Sequence, residues 1–289
     1  MPIPVTGTET DSVAETASVG KAVDESGGES GGEGAASPGP VLVIQQEDGA
    51  GPGIVGERLR AAGFALRVLH PWRGEELPGT LDGMAGLLVL GGAANCEDDA
   101  AAPWLAGVRT LIREAVHGRT ALPLLGICLG GQLMAQTLGG RVVRRPQGPE
   151  LGVTPVRRLP AVAADRVFAS VPEGAAAAQW HWDEIGALPP GAVPLLGGDD
   201  CPYQAFRIGD VAWGTQFHPE VLSDTVALWA ATDAEQVRAD GLDPDDAIEA
   251  VRTREPRLRD VWGTVADAWA DVVRQAHARV PAPAAPAEG

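Results

Sequence analysis

Gly126-Ile127-Cys128-Leu129-Gly130-Gly131-Gln132 is a turn between two regular elements. The apolar run Ala121-Leu122-Pro123-Leu124-Leu125 before it reads as a buried strand. After it, Leu133-Met134-Ala135-Gln136-Thr137-Leu138 reads as a helix that stops at Gly139-Gly140. Strand, tight turn and helix around one nucleophile make the G-x-nucleophile-x-G form of a nucleophile elbow, with Cys in place of Ser. Gly126 and Gly130 flank Cys128 because so sharp a turn leaves no room for a Cβ. Cys128 then stands at the N-terminus of a helix, whose dipole favours the attacking thiolate. The N–H of Leu129 is placed to meet a carbonyl oxygen under attack.

A second stretch completes the chemistry. His218-Pro219-Glu220 supplies a base and a carboxylate two residues apart, with Pro219 holding the chain extended. Alternate residues of an extended chain face the same side. Glu220 can therefore fix the His218 tautomer while the other ring nitrogen meets Cys128. Cys128, His218 and Glu220 are the parts of a Cys-His-Glu acyl-transfer site.

The elbow, together with Gly214-Thr215-Gln216-Phe217-His218-Pro219-Glu220, resembles the class I glutamine amidotransferases. Within that family it is similar to the stand-alone group related to the amidotransferase domain of GMP synthase, over residues 41–222. Leu87-Leu88-Val89-Leu90-Gly91-Gly92 resembles the family's strand and oxyanion loop, which implies the N–H near Gly92 as a second oxyanion donor. Trp180-His181-Trp182-Asp183 resembles its W-H-G-D, implying that Asp183 contacts the substrate α-amino group. Gln132 matches a position that contacts glutamine. Glu150-Leu151-Gly152 and Cys201-Pro202-Tyr203-Gln204-Ala205-Phe206 match further segments in the same order. Trp182 departs from the family's glycine, and so large a ring is expected to reshape the substrate pocket.

Outward from the elbow, Val41-Leu42-Val43-Ile44, residues 65–69 and residues 86–90 read as strands. Residues 54–62 and 103–117 read as helices. Strands alternating with helices predict an α/β fold with a parallel sheet. The resemblance implies a three-layer sandwich, flavodoxin-like, with a mostly parallel central sheet and an antiparallel extension. The extension is expected from short strands at 153–157, 177–180, 193–196, 204–208 and 211–216. Ser223 is expected to cap a helix to about residue 238, with separate helices at 243–252 and 257–277. Trp262 and Trp269, one heptad apart, would face a core or a partner. The expected organisation is a disordered acidic Gly/Ser-rich tail over 1–40 and the amidotransferase domain over 41–222. C-terminal helices packed on or extending that domain follow over 223–280, then a Pro/Ala tail over 281–289.

The chain has 289 residues and a net charge of -17, which argues against a nucleic-acid partner because that requires a basic surface. Without an apolar run long enough to span a bilayer, no membrane partner is expected. Three cysteines without paired spacing fit a reducing, cytoplasmic setting. The histidines lack metal-ligand spacing, so no metal is expected. Cys96 and Cys201 are expected to be unreactive. Gly51-Pro52-Gly53-Ile54-Val55-Gly56 matches the dinucleotide fingerprint, yet no ribose-binding acid follows the second strand. It reads as a Gly-rich β–α turn.

The resemblance implies hydrolysis of the glutamine side-chain amide through a γ-glutamyl thioester. The half-reaction needs no cofactor, and the ammonia acceptor would be a synthetase on a separate protein. Two alternatives remain open. A γ-glutamyl peptide or amide hydrolase would use the same triad on a different small molecule, and a non-catalytic regulatory protein would keep only the fold.

Overall fold

The computed structural model describes residues 39–119 and 121–278. The tails expected over 1–40 and 281–289 lie outside them, residues 39 and 40 excepted.

The first half alternates strand and helix: β1 (Val41–Ile44), α1 (Gly53–Ala61), β2 (Leu66–Leu69), β3 (Gly86–Val89), α2 (Leu105–His117), β4 (Leu124–Ile127) and α3 (Leu129–Thr137). Short strands follow: β5 (Arg141–Arg144), β6 (Glu150–Pro155), β7 (Arg157–Arg158), β8 (Ala176–His181), β9 (Asp183–Ala187), β10 (Ala192–Gly197), β11 (Ala205–Ile208) and β12 (Ala212–Thr215). The chain then turns helical in α4 (Ser223–Thr232), α5 (Ala234–Ala239) and α6 (Pro244–Ala278).

The main sheet has the order β2-β1-β3-β4-β12-β11-β10-β7. Strands β2, β1, β3, β4 and β12 run parallel, and β11, β10 and β7 extend the sheet antiparallel. Period-two alternation splits the core between two faces. Val41 and Val43 face one layer with Val55, Leu59 and Trp262; Leu42 and Ile44 face the other with Leu105, Val108 and Met134. This is the three-layer arrangement expected from strands buried on both sides.

The short strands only partly behave as one extension. β12 joins the parallel set, wholly buried between β4 and β11. β6 pairs with β8 as a separate ribbon, and β5, which carries no apolar alternation, pairs with β9 as another. The β5–β9 ribbon packs on α3 and the β6–β8 ribbon on α6, and neither joins the main sheet.

The C-terminal helices also differ from expectation. The helix from Ser223 breaks at Asp233, giving α4 and α5. Leu222, not Ser223, holds the cap position; the Ser223 N–H and hydroxyl both donate to Glu255. The two helices expected after residue 240 are one, running through Pro256. An interior proline costs about 3 kcal/mol. Val251, Leu258, Val261, Trp262, Val265 and Trp269 are buried in phase on both sides of it. At ~1.5–3 kcal/mol per large side chain, that stripe outweighs the break. Trp262 and Trp269 thus face the core, and α6 packs on α1, α4 and β6.

Candidate active site

The loops after β1, β3, β4 and β12 leave the carboxyl ends of parallel strands, where open α/β sheets bind ligands. They carry Glu47, Gly91-Gly92, Cys128 and His218 respectively.

At the elbow, Cys128 adopts φ 49° and ψ −108°, the only positive φ outside glycine among the described residues. Such a backbone costs of order 1–3 kcal/mol and persists because its surroundings hold it. The turn is tight enough that a Cβ on Gly130 would lie 2.1 Å from the Val89 carbonyl oxygen. Cys128 is 6% exposed and opens onto a cavity of about 530 Å³.

His218 is held from both sides. Its N–H donates to the Ala178 carbonyl at 2.8 Å, and its Nδ1 lies 2.8 Å from Glu220 Oε1. The other nitrogen is left for Cys128, whose sulfur is close enough to favour the charged ring. Gly91 is pressed against the pair: a Cβ there would meet His218 Cε1 at 2.8 Å. Burial disfavours the charged imidazole, but the Glu220 carboxylate and the Cys128 sulfur outweigh it and raise the His218 pKa to about 10. Glu220 is itself buried and anchored through its backbone, accepting from the Ile54 N–H at 2.9 Å. The Gly51–Gly56 stretch is thus a Gly-rich turn at the start of α1, and it braces Glu220.

The opposite wall comes from the β8–β9 corner. Gln132 Nε2 donates to the Asp183 carbonyl at 3.0 Å and faces Gln216 Oε1 at 3.4 Å. Gln216 is fully buried; its Oε1 accepts from the Ile185 N–H at 3.3 Å and its Nε2 lies 3.9 Å from Cys128 Sγ. The Asp183 carboxylate meets Asn95 at 3.3 Å and Arg144 at 3.5 Å. His181 lines the cavity too, and its Nδ1 donates to the Asp183 carbonyl at 2.9 Å. Behind it stands a buried network in which Arg145 pairs with Glu184 at 2.6 Å and His181 meets Glu150 at 3.0 Å. Trp182 lines the cavity, edge-on to Trp180, its indole N–H donating to Asp240 at 2.6 Å.

Cys128, Gln132, Trp182, Asp183, His218 and Gly92 therefore surround one cavity, with Glu220 behind His218. Leu129 opens α3, its side chain in reach of Gly92, so both backbone segments adjoin Cys128. Cys96 and Cys201 are buried away from this cavity. Burial, with nearby carboxylates, pushes the Cys96 thiol up to about 12 and Cys201 up as well. Among the described residues, no His, Cys, Asp and Glu group is arranged to hold a metal, and no helix is long and apolar enough to cross a membrane.

Sequence reading missed Glu47, Trp229 and Asp233, which also line the cavity. Trp229 packs 4.7 Å from the His218 ring, between centroids. It sits on a helix read only as a C-terminal addition, so no local pattern marked it.

Comparison with known proteins gives a consistent result. The family model for glutamine amidotransferase class-I matches residues 55–227. The glutamine-hydrolyzing GMP synthase of Porphyromonas gingivalis is 34% identical over 170 residues, 58% of this chain and 30% of that protein. One of the subunits of the glutamine-hydrolyzing GMP synthase of Pyrococcus abyssi is 36% identical over 101 residues, 35% of this chain and 52% of that one. The chain thus spans only part of the length of these relatives. A glutamine amidotransferase from Thermotoga maritima, solved by crystallography, superposes with a TM-score of 0.72 at 26% identity, covering 81% of this chain and 99% of the other.

Proposed function

The chain belongs to the class I glutamine amidotransferase family, and from that premise we propose that it hydrolyses the side-chain amide of glutamine through a Cys128–His218–Glu220 triad. Cys128 Sγ attacks the amide carbon, forming the S–C bond. The oxygen takes up charge against the N–H groups of Gly92 and Leu129, each such donor contributing about 2.7–4 kcal/mol in comparable sites. His218 gives its proton to the leaving nitrogen as the C–N bond breaks, and ammonia departs. Glu220 holds the imidazole oriented and supports its charge. The γ-glutamyl thioester is then attacked by water, whose proton returns to His218, and glutamate leaves with the thiol restored. Asp183 takes the substrate α-ammonium, with Gln132 and Trp182 shaping the acyl side.

The observation that carries this reading is the 2.8 Å His218–Glu220 contact directly beside Cys128 at a strained elbow. The Pyrococcus abyssi relative is one component of a multi-chain GMP synthase, and this motivates a second element: ammonia passes to an acceptor on a separate synthetase protein. The test is release of glutamate and ammonia from L-glutamine by the purified chain, with Cys128→Ala as control. Release lost in the variant supports the mechanism; equal release from the variant overturns it.

A further inference from the structure

The segment proposed to supply the second oxyanion donor, Gly91-Gly92, has no side chain of its own to hold it. Its surroundings leave little room for one. A Cβ on Gly91 would meet His218 Cε1 at 2.8 Å, and one on Gly92 would meet Gln46 Cβ at 3.0 Å and Leu129 Cδ2 at 3.3 Å. Two successive glycines are the most permissive backbone a chain can offer. An N–H that must meet a developing negative charge acts fully only if it already points there.

Two neighbouring residues of the loop after β1 grip this segment at its ends. Gln46 Nε2 donates to the Leu90 carbonyl at 2.7 Å, immediately before the glycines. The Ala93 N–H, immediately after them, donates to Glu47 Oε2 at 2.7 Å. The gripping loop is itself supported. Gln45 Nε2 donates to the Glu47 carbonyl at 2.9 Å, and Asp48 pairs with Arg73.

Neither side chain gains an easy environment by standing there. Gln46 is 3% exposed, and its Oε1 has no hydrogen-bond partner among the described residues. A buried amide satisfied at one end only is costly to keep. Burial raises the Glu47 pKa and Asp233 adds to it, against the opposing effects of the Ala93 N–H and His218. Two costly groups thus converge on the ends of one dipeptide.

We infer that Gln46 and Glu47 are positioning residues for the oxyanion loop, holding the Gly92 N–H aimed at the amide oxygen of a substrate beside Cys128. The inference rests on the thioester chemistry proposed above. Both bonds form without a ligand, so the donor is set before glutamine arrives. Their effect falls on the steps in which the oxygen carries charge, and little of it on binding.

The test uses three variants. Glu47→Ala removes the acceptor for Ala93, Glu47→Gln keeps an acceptor and removes the charge, and Gln46→Leu removes the donor to Leu90 at similar size. With L-glutamine, Glu47→Ala and Gln46→Leu should lower kcat about tenfold or more, with KM within about twofold of wild type. Glu47→Gln should recover most of kcat. Alkylation of Cys128 by iodoacetamide displaces iodide from carbon and builds no oxyanion, so its rate should stay within about twofold of wild type in all three variants. General damage to the elbow or to His218 would slow alkylation together with turnover. Wild-type kcat in Glu47→Ala and Gln46→Leu overturns the inference and leaves the hydrolytic reading standing. Alkylation that falls in step with turnover, or a Glu47→Gln as slow as Glu47→Ala, overturns it as well. No glutamate release by the wild-type chain overturns both.

Discussion

Gly53 and Glu220 touch through their backbones: a Cβ on Gly53 would lie 2.0 Å from the Glu220 carbonyl oxygen. A motif that looks like a nucleotide loop is here a brace for the carboxylate behind His218. Gly53→Ala adds a second penalty, because φ at this position is +40°. The variant should lose activity at least tenfold. Its Tm should fall by several degrees, at ~2–4 °C per kcal/mol for a domain of this size. Thermal unfolding and glutamate release check both; an unchanged Tm with full activity would contradict the brace.

Strain at Cys128 makes an opposite prediction. Alanine at position 128 keeps a Cβ on a backbone at φ 49°, whereas glycine does not. Both Cys128→Ala and Cys128→Gly should be inactive, but Cys128→Gly should have the higher Tm. Relief of ~1–3 kcal/mol of strain exceeds the ~0.5–1 kcal/mol entropic cost of glycine.

The pH dependence of stability follows from His218. Its pKa is raised from 6.5 to about 10 in the folded state, despite burial, by Glu220 and Cys128. The folded state therefore holds the proton more tightly than the unfolded chain. The stabilisation is fully present below about 6.5 and is lost as pH rises through about 10. Glu220→Gln should lower the His218 pKa and move this loss to lower pH. Chemical denaturation across pH 6–10, with NMR titration of His218, measures both; identical profiles for the two proteins would rule this out.

Gln216 offers a local test. The Ile185 N–H requires an acceptor, which fixes Gln216 Oε1 there and turns Nε2 towards Cys128 Sγ. Gln216→Glu replaces that donor with a carboxylate oxygen facing the sulfur. Alkylation of Cys128 by iodoacetamide at neutral pH should slow about tenfold or more. Unaltered alkylation in a folded variant would show that the amide does not act on the thiol.

The elbow and the His-Pro-Glu segment were legible because their geometry is local: a turn that excludes Cβ demands glycine, and an extended tripeptide puts its ends on one side. The strand–helix alternation up to α3 was legible from apolar runs and their stops. Glu47, Trp229 and Asp233 were not, since they reach the cavity from elements far apart in the chain and carry no spacing rule. The β5–β9 ribbon was missed because Arg141-Val142-Val143-Arg144 has no alternating apolar face. Pro256 read as a helix boundary because local propensity knows nothing of the surface α6 covers.

That same helix sets an order of events during synthesis. α6 closes over α1, with Arg259 paired to Glu57 at a separation of 202 residues. At ~5–20 residues per second, the outer face of the first β–α unit waits roughly 10–40 s for its cover. Until the ribosome releases α6, the valines of β1 and the inner face of α1 lack Trp262 and its neighbours. The nascent chain is thus a sticky, half-lidded sheet, and a chaperone acting on it would have its widest opportunity in that interval.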